Sequence, residues 1–127
     1  MTHIVRALAC AAASLGIWAA TVTTGQPAGA MAVGSCAAFG YAFDYRNADT
    51  ARTAAERKCS GGSGCKVVMM MHRSCAAFAI DGHRPCGPNG YASARNLGQA
   101  ENVALQSCYK YGGKDCVIRA FACDTKG

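Results

Sequence analysis

The cysteines limit the possible folds of this chain more than any other residue type does. Nine of the 127 residues are cysteines, and eight of them follow residue 35. These eight are Cys36, Cys59, Cys65, Cys75, Cys86, Cys108, Cys116 and Cys123. An even number of cysteines in a short chain is typical of a disulfide framework, provided that the protein enters an oxidising compartment. Their chemistry therefore depends on whether the chain is exported.

The first thirty residues have the organisation of a signal peptide. A short basic start ends at Arg6, residues 7–22 form an uncharged apolar run, and Ala28-Gly29-Ala30 resembles the small-residue motif that precedes a cleavage site. We therefore predict a signal peptide at residues 1–30 and a single exported domain at residues 31–127. The mature protein is then expected to be secreted or periplasmic.

Two other interpretations of the N-terminal segment fit less well. A membrane anchor needs about 20 apolar residues to cross the hydrocarbon core, and the run at residues 7–22 is shorter. For a lipoprotein, Cys10 lies too early and Cys36 too late relative to that run. We expect no transmembrane segment after cleavage.

The composition favours a folded domain without a nucleic-acid site. Hydrophobic residues make up 51% of the chain and charged residues 16%, which excludes a disordered charged tail. The formal net charge is +6, but the basic residues are dispersed, with Arg57-Lys58 as their main cluster. The five tyrosines form no stacking motif. These charges indicate a solvated surface with a modest preference for anionic cell envelopes.

Repeated sequence patterns predict two similar structural units. SCAAF occurs at Ser35–Phe39 and again at Ser74–Phe78. Apolar residues then follow the same helical spacing twice, first at Ala48, Ala51, Ala55 and Cys59, then at Leu97, Ala100, Ala104 and Cys108. The two helices are expected to begin at Asn47 and Asn96, with Gln99 completing a capping box. The predicted repeat covers residues 35–73 and 74–127.

Each unit is expected to run from strand to helix, cysteine-bounded turn and strand. The final strands are predicted at Lys66–His72 and Val117–Cys123. The second unit contains an insertion at Ile80–Asn89 and a further strand at Tyr91–Arg95, whereas residues 38–45 form one strand or a tight hairpin. The fold class is α+β: one small disulfide-stapled domain whose duplicated units form an antiparallel-rich sheet with two helices packed on it.

The repeat restricts how the cysteines can pair. Cys59 with Cys65 and Cys108 with Cys116 occupy equivalent positions on glycine-containing turns, so we predict these two disulfides. Among the remaining four, Cys75 with Cys123 would join the first and last strands of the second unit. Cys36 with Cys86 would then attach the insertion.

This arrangement resembles the bacterial domain of unknown function 4189 family. The resemblance rests on SCAAF, on the alanine-rich helices that end in cysteine (ADTARTAAERKC and GQAENVALQSC), and on the strands CKVVMMM and CVIRAFAC. It extends roughly from Cys36 to Cys123 and implies an exported bacterial protein. The family commonly has a longer glycine- and aromatic-rich hairpin in the first unit, and Cys36 and Cys86 are additions here. The resemblance transfers no catalytic residues.

No catalytic motif stands out, and we predict neither catalytic residues nor a cofactor. The fingerprints of serine hydrolases, P-loop proteins, zinc proteases and dinucleotide-binding proteins are missing from the sequence. A small nuclease or hydrolase is the alternative: His72 and His83 would act as paired acid and base. Lys66, Arg73 and Arg84 would then hold phosphate.

A periplasmic copper or zinc protein is a further alternative. His72 and Cys75 form one H-x-x-C pair, His83 and Cys86 form another, and Met69–Met71 precede His72. Bridged cysteines are not metal ligands, and consecutive residues of a strand face opposite sides. We therefore predict no metal site.

The remaining candidates are exposed residues on the turns of a stapled scaffold. Tyr109, Lys110 and Tyr111 lie beside the second cysteine turn, and Asp81, His83 and Arg84 lie in the insertion. Loops on a rigid scaffold commonly carry binding function. We therefore expect a non-catalytic binding, inhibitory or effector module with an extracytoplasmic protein or cell-envelope partner. Its oligomeric state is left open.

Overall fold

The computed structural model describes residues 27–60 and 64–125. In chain order its elements are β1 (Ala28–Val33), β2 (Phe39–Tyr45), α1 (Ala48–Arg57), β3 (Lys66–Met71), β4 (Ser74–Asp81), β5 (Asn89–Ala94), α2 (Leu97–Lys110) and β6 (Cys116–Asp124). All strand pairs in these ranges are antiparallel. Neither helix has the length and apolar character needed to span a membrane.

The strands form two three-stranded sheets that pack face to face. The N-terminal sheet has the order β2-β1-β3 and the C-terminal sheet the order β5-β4-β6. Met31 of β1 and Phe78 of β4 are buried in the same apolar cluster between the sheets. On the outer faces, Ala30 belongs to a cluster with α1, and Ala77 belongs to a cluster with α2. The molecule therefore has four layers: α1, N-terminal sheet, C-terminal sheet and α2.

This architecture confirms the predicted α+β class and refines the arrangement of its sheet. The strands divide between two sheets, whereas the sequence suggested a single one. The physical reason is that each central strand is apolar on both faces. One small helix covers only one face of a three-stranded sheet, so the two remaining faces are buried against each other.

Both helices begin where the sequence predicts. The Asn47 side chain accepts a hydrogen bond from the Thr50 backbone N–H at 3.0 Å, and the Asn96 side chain accepts one from the Gln99 N–H at 2.9 Å. Each bond satisfies a donor that has no partner within the helix. The alanines of the two helical stripes are buried against the sheets, as their spacing predicts.

The two halves have the same order of elements and equivalent strand registers. Gly40 of β2 pairs with Ala32, and Gly90 of β5 pairs with Ala79. At both glycines a β-carbon would collide with the backbone of the neighbouring helix. The register also shifts at the same place, where Val68 and Arg119 are the extra residues. Residues of one half can therefore be compared with those of the other.

The two SCAAF segments do not have equivalent structures, which corrects the sequence interpretation. Ser74–Phe78 lies within β4, but the Ser35–Phe39 segment forms the turn between β1 and β2, and only its last residue is in a strand. Cys36 and Ala37 adopt positive φ angles of 52° and 64°, because the chain reverses there between two antiparallel neighbours. The element that corresponds to β4 is β1.

The four cysteine pairs of the structure are those that the sequence predicts. Cys75–Cys123 joins directly opposite residues of β4 and β6, and Cys36–Cys86 joins the β1–β2 turn to the β4–β5 loop. Cys59–Cys65 and Cys108–Cys116 each connect the end of a helix to the following strand. Residues 61–63, within the first of these turns, lie outside the described part of the chain. Cys36–Cys86 thus links one half of the molecule to the other.

The predicted signal peptide at residues 1–30 overlaps the first strand. Residues 1–26 lie outside the described residues, but Ala28–Val33 forms β1, the central strand of the N-terminal sheet. Ala28 and Ala30 are fully buried. Cleavage after Ala30 would remove half of this strand. A mature chain that keeps β1 intact must therefore begin before Gly29.

Candidate functional site

The C-terminal half carries two additions that the N-terminal half lacks. Helix α1 ends at Arg57, before Cys59, whereas α2 continues past the equivalent Cys108 to Lys110. The β4–β5 connection is also longer than the β1–β2 turn. Because the N-terminal half forms the same layers without them, the shared topology does not require either addition. Their positions therefore identify a candidate site.

Asp81 holds the two additions together. Its buried carboxylate accepts hydrogen bonds from the backbone N–H groups of Lys114 (3.1 Å) and His83 (3.0 Å) and from the Arg84 guanidinium (3.1 Å). Arg84 also donates to the carbonyl oxygen of Gly112 at 3.0 Å. One carboxylate and one guanidinium thus connect the β4–β5 loop to the α2–β6 turn.

This environment lowers the pKa of Asp81 from 3.8 to about 2. The largest cause is the hydrogen bond from the Lys114 N–H, which outweighs the opposing effect of burial. The His83 N–H and the charge of Arg84 act in the same direction as Lys114. Asp81 is therefore ionised at neutral pH and functions as a structural clamp.

A cleft of about 460 Å³ lies where the clamped segments meet β5 and α2. Its lining residues are Pro88, Asn89, Gly90, Tyr91, Ser107 and Tyr111. Tyr91 is 44% exposed and Tyr111 is 68% exposed, so aromatic surface is available to a ligand. The lining combines aromatic rings with amide and hydroxyl groups, and these six residues include no Asp, Glu, His, Lys or Arg. We call this site the tyrosine cleft.

The predicted binding residues lie around the tyrosine cleft, but only one of them lines it. Tyr111 is part of the wall; Asp81 and Arg84 hold the loops behind it, and the exposed His83 is 3.5 Å from Asp115. Tyr109 and Lys110 are exposed at the end of α2. Of the six predicted residues, the structure therefore places one, Tyr111, in the lining of the cleft.

Sequence reasoning missed Tyr91, Asn89 and Ser107. Tyr91 stands on a strand with alternating exposed and buried residues, and Ser107 is a helical residue next to a cysteine. Neither position carries a motif. A signal was available only in Gly90, since a glycine within a strand often marks a close approach of another backbone.

The structure does not favour the alternative of a histidine-dependent nuclease. His72 precedes β4 and His83 follows it, so these residues lie at opposite ends of an eight-residue strand. At a rise of about 3.3 Å per residue, the strand separates them by on the order of 25 Å. A general acid and a general base that act on one phosphate must lie much closer together.

The ligands considered for a metal site are also dispersed or chemically unsuited. Cys75 and Cys86 of the two H-x-x-C pairs are both in disulfides. Met69 and Met71 face the core between the sheets, whereas Met70 faces α1. Among the described residues, no group of three or more His, Cys, Asp and Glu side chains is placed to hold an ion.

The architecture and the tyrosine cleft define a class: a small, disulfide-linked α+β sandwich with an aromatic-lined cleft on one half. A family model for a domain of unknown function (DUF4189) matches residues 28–123, so the chain belongs to this family. The match begins at the first residue of β1. No curated protein and no solved structure matches the chain.

Proposed function

We propose that this protein is an exported, non-catalytic binding module that captures an extracytoplasmic partner in the tyrosine cleft. The observation that carries the proposal is the convergence of two additions on one cleft. Neither the extra turn of α2 nor the long β4–β5 loop is needed for the shared topology, yet the two are joined by Asp81 and Arg84. Their joint product is the exposed wall formed by Tyr111.

The proposal of export is supported by the N-terminal pattern and by the disulfides. Residues 1–25 retain a basic start, an apolar run and a polar end without any contribution from β1. The four cysteine pairs suit an oxidising compartment, where disulfides persist. Both features are expected of a secreted or periplasmic protein.

The proposal of binding is supported by the rigidity and chemistry of the cleft. Its walls are held by Cys108–Cys116 and by the Asp81 clamp, so little conformational entropy is lost when a ligand is bound. Tyrosine, serine, asparagine and glycine also dominate the binding loops of antibodies, where tyrosine supplies rigid contact area and the small polar residues supply hydrogen bonds. A polypeptide surface is the partner that such a lining suits best.

Site-specific photocrosslinking in an exporting host tests this proposal. Tyr111→p-benzoylphenylalanine places the crosslinker in the cleft wall, and Tyr109→p-benzoylphenylalanine is the matched control on an exposed neighbour that does not line the cleft. We expect a discrete adduct outside the cytoplasm from position 111 only. Adding Tyr91→Ala should reduce its yield at least tenfold, since an aromatic contact at the centre of an interface contributes about 2 kcal/mol or more.

Two results would contradict the proposal. One is an equal adduct pattern from positions 109 and 111, which would show that the crosslinker reports general surface contact. The other is an adduct at position 111 that persists unchanged with Tyr91→Ala, because Tyr91 and Tyr111 line the same cleft.

A further inference from the structure

The equivalence of the two halves provides an internal reference for each exposed edge of the molecule. Counting from Gly40 and Gly90, Phe39 corresponds to Asn89 and Phe43 to Ser93. The edge strand of the N-terminal sheet therefore carries phenylalanine where its counterpart carries polar residues. Phe39 packs against the core between the sheets. Since the C-terminal half forms the same strand with Asn and Ser, the shared topology does not require phenylalanine at either position.

Two cations also occupy positions where the other half carries a neutral residue. Lys58 precedes Cys59 in the position that Ser107 occupies before Cys108, and Arg119 occupies the shifted position of Val68. Both cations lie beside β2. Lys58 is at the end of α1 and lines a cavity with β2 residues, and Arg119 belongs to β6, which packs near β2 across the two sheets. The Arg119 guanidinium is 5.1 Å from the centroid of the Phe39 ring. At these four positions one edge of the molecule carries two phenylalanines and two cations, whereas the equivalent positions carry the neutral residues Asn89, Ser93, Ser107 and Val68.

The aromatic side chains of this edge form a continuous ladder. The ring centroids of Phe39 and Tyr41 are 6.3 Å apart with nearly parallel planes, and those of Tyr41 and Phe43 are 6.2 Å apart. Phe43 is 49% exposed. A half-exposed phenylalanine at the open end of such a ladder leaves apolar surface uncovered, which is typical of an interaction site.

The backbone beside the ladder also presents hydrogen-bonding groups. Phe39 exchanges both backbone hydrogen bonds with Ser60, at 3.1 and 3.0 Å, so its N–H and C=O point away from β1. In an antiparallel strand these groups alternate from residue to residue, and those of Tyr41 therefore point the same way. Beyond Ser60, no strand among the described residues pairs with this outer edge of β2.

Two cavities flank the ladder, one on each face of the sheet. A cavity of about 260 Å³ on the α1 side is lined by Gly40 and Lys58 together with Phe39 and Tyr41. A second cavity, of about 410 Å³, lies on the side of the C-terminal sheet. Its wall includes Arg119, Glu101, Ile118 and Phe121 as well as the same two aromatic residues. The first cavity is cationic; the second is mainly apolar, with one charge of each sign.

We propose that β2 accepts an extended segment of a partner polypeptide, which adds to the N-terminal sheet as a short fourth strand. Successive side chains of a strand point to opposite faces. Acidic side chains of the segment would enter the cavity of Lys58, and the intervening apolar side chains would enter the cavity of Phe121. Strand addition of this kind combines backbone hydrogen bonds for affinity with side-chain pockets for specificity. The surface is separate from the tyrosine cleft.

The test uses the exported protein with the synthetic peptide acetyl-Glu-Val-Glu-Val-Glu-amide as the probe. We expect shifts and slower hydrogen exchange at the Tyr41 backbone amide in NMR spectra. The corresponding Lys-Val-Lys-Val-Lys peptide should bind at least tenfold more weakly. A strand presents alternate amides to the same neighbour, so two further Glu-Val peptides are N-methylated at the two alternate sets of amides. Only the peptide whose methyl groups replace the amide hydrogens that face β2 should lose binding.

Substitutions taken from the opposite edge complete the test. The variant with Phe39→Asn, Phe43→Ser, Lys58→Ser and Arg119→Val replaces each residue by its equivalent in the other half, which suits the same backbone. We expect it to fold and to bind the Glu-Val peptide at least tenfold more weakly. The control is Ser93→Ala on the opposite edge, which should bind normally. If the fourfold variant does not fold, the exposed pair Phe43→Ser and Lys58→Ser decides the question.

Three outcomes would overturn the inference. They are the lack of any shift at Tyr41 with millimolar peptide, undiminished binding by the substituted protein, and equal binding of both N-methylated peptides. None of these outcomes bears on the tyrosine cleft, so the two proposals fail separately.

Discussion

Asp81 is the single residue on which the shape of the tyrosine cleft depends most. Its carboxylate is almost completely buried, and it is the point where the β4–β5 loop and the α2–β6 turn meet. A buried carboxylate is tolerated only when its oxygens are hydrogen-bonded. Here backbone N–H groups from both segments supply those bonds, so the charge and the loop conformation support each other.

The lowered pKa of Asp81 predicts that part of the stability depends on pH. A carboxyl group whose pKa is lower in the folded than in the unfolded state stabilises the fold at pH values above its pKa in the unfolded state. That contribution is lost as the pH falls from about 4 towards 2, where the folded carboxylate becomes protonated. We expect Asp81→Asn to be less stable than the wild type at pH 6, and the difference to shrink towards pH 2. Urea unfolding of both disulfide-intact proteins across this pH range measures the difference in their free energies of unfolding.

A neighbouring aspartate provides the control for this prediction. Asp115 is exposed, and its carboxylate lies within salt-bridge distance of the His83 imidazole. Exposed ion pairs contribute little to stability. Asp115→Asn should therefore unfold like the wild type at both pH values, and an equal effect of the two substitutions would contradict the assigned role of Asp81.

At the scale of secondary-structure elements, the distance between helix and sheet is set by small residues. Alanines line the inner faces of α1 and α2, and Gly40 and Gly90 lie directly beneath the helix ends. The helices consequently lie so close that a β-carbon on either glycine would meet helix backbone. This close approach also forms the floor of the tyrosine cleft.

Two glycines near α2 should respond in opposite ways to the same substitution. Gly90→Ala places a methyl group against the backbone of Ala104 and Cys108, and such overpacking costs about 3 kcal/mol. In Gly98→Ala, in the first turn of α2, the new β-carbon makes only an ordinary van der Waals contact, 3.8 Å from Asn96 Oδ1, and alanine there should stabilise the helix by up to about 1 kcal/mol. Denaturant unfolding measures both. A small loss of stability in Gly90→Ala would show that α2 can move away from the sheet, which would contradict the prediction.

At the scale of the whole molecule, two similar halves carry different specialised surfaces. The C-terminal half has the tyrosine cleft, and the N-terminal half has the aromatic edge of β2. The Cys36–Cys86 disulfide and the shared core between the sheets join the halves. The comparison of equivalent positions, rather than any motif, separates residues that the fold needs from residues that are free to bind.

The position of β1 predicts where export processing must occur. Ala28, Gly29 and Ala30 pair with β2 and β3 on both sides of the central strand. A chain that began at Met31 would lose these pairings and leave the inner face of α1 partly uncovered. We therefore expect the mature N-terminus at or before Ala28, which the intact mass of the exported protein determines. A mature protein that begins at Met31 and retains the N-terminal sheet would contradict this structure of β1.

The alanines at positions 28 and 30 show how one pattern can have two meanings. Small residues two positions apart are typical of a cleavage site. The same spacing in a strand places small side chains on one face, and here that face lies against α1. The sequence pattern does not distinguish these possibilities, because only the partner helix reveals why the residues must be small.

Interactions between near neighbours could be predicted from the spacing of residues along the chain. The caps at Asn47 and Asn96, the alanine stripes and the cysteine turns depend on residues within a few positions of one another, so their spacing was sufficient to predict them. The α+β class follows from the order of these elements. The disulfides Cys59–Cys65 and Cys108–Cys116 were predicted from their equivalent turns, whereas the sequence suggested Cys75–Cys123 and Cys36–Cys86 only as pairings of the cysteines that remained.

Contacts between distant segments could not be predicted in this way, because they depend on how the sheets and helices pack. Two identical SCAAF segments became a turn and a central strand, since their neighbours in space differ. Tyr91 and Tyr111 share a cleft because β5 packs on α2, and Arg119 reaches Phe39 because two separate sheets stack. Local propensity and spacing carry no information about such juxtapositions, which arise when apolar faces are buried against one another.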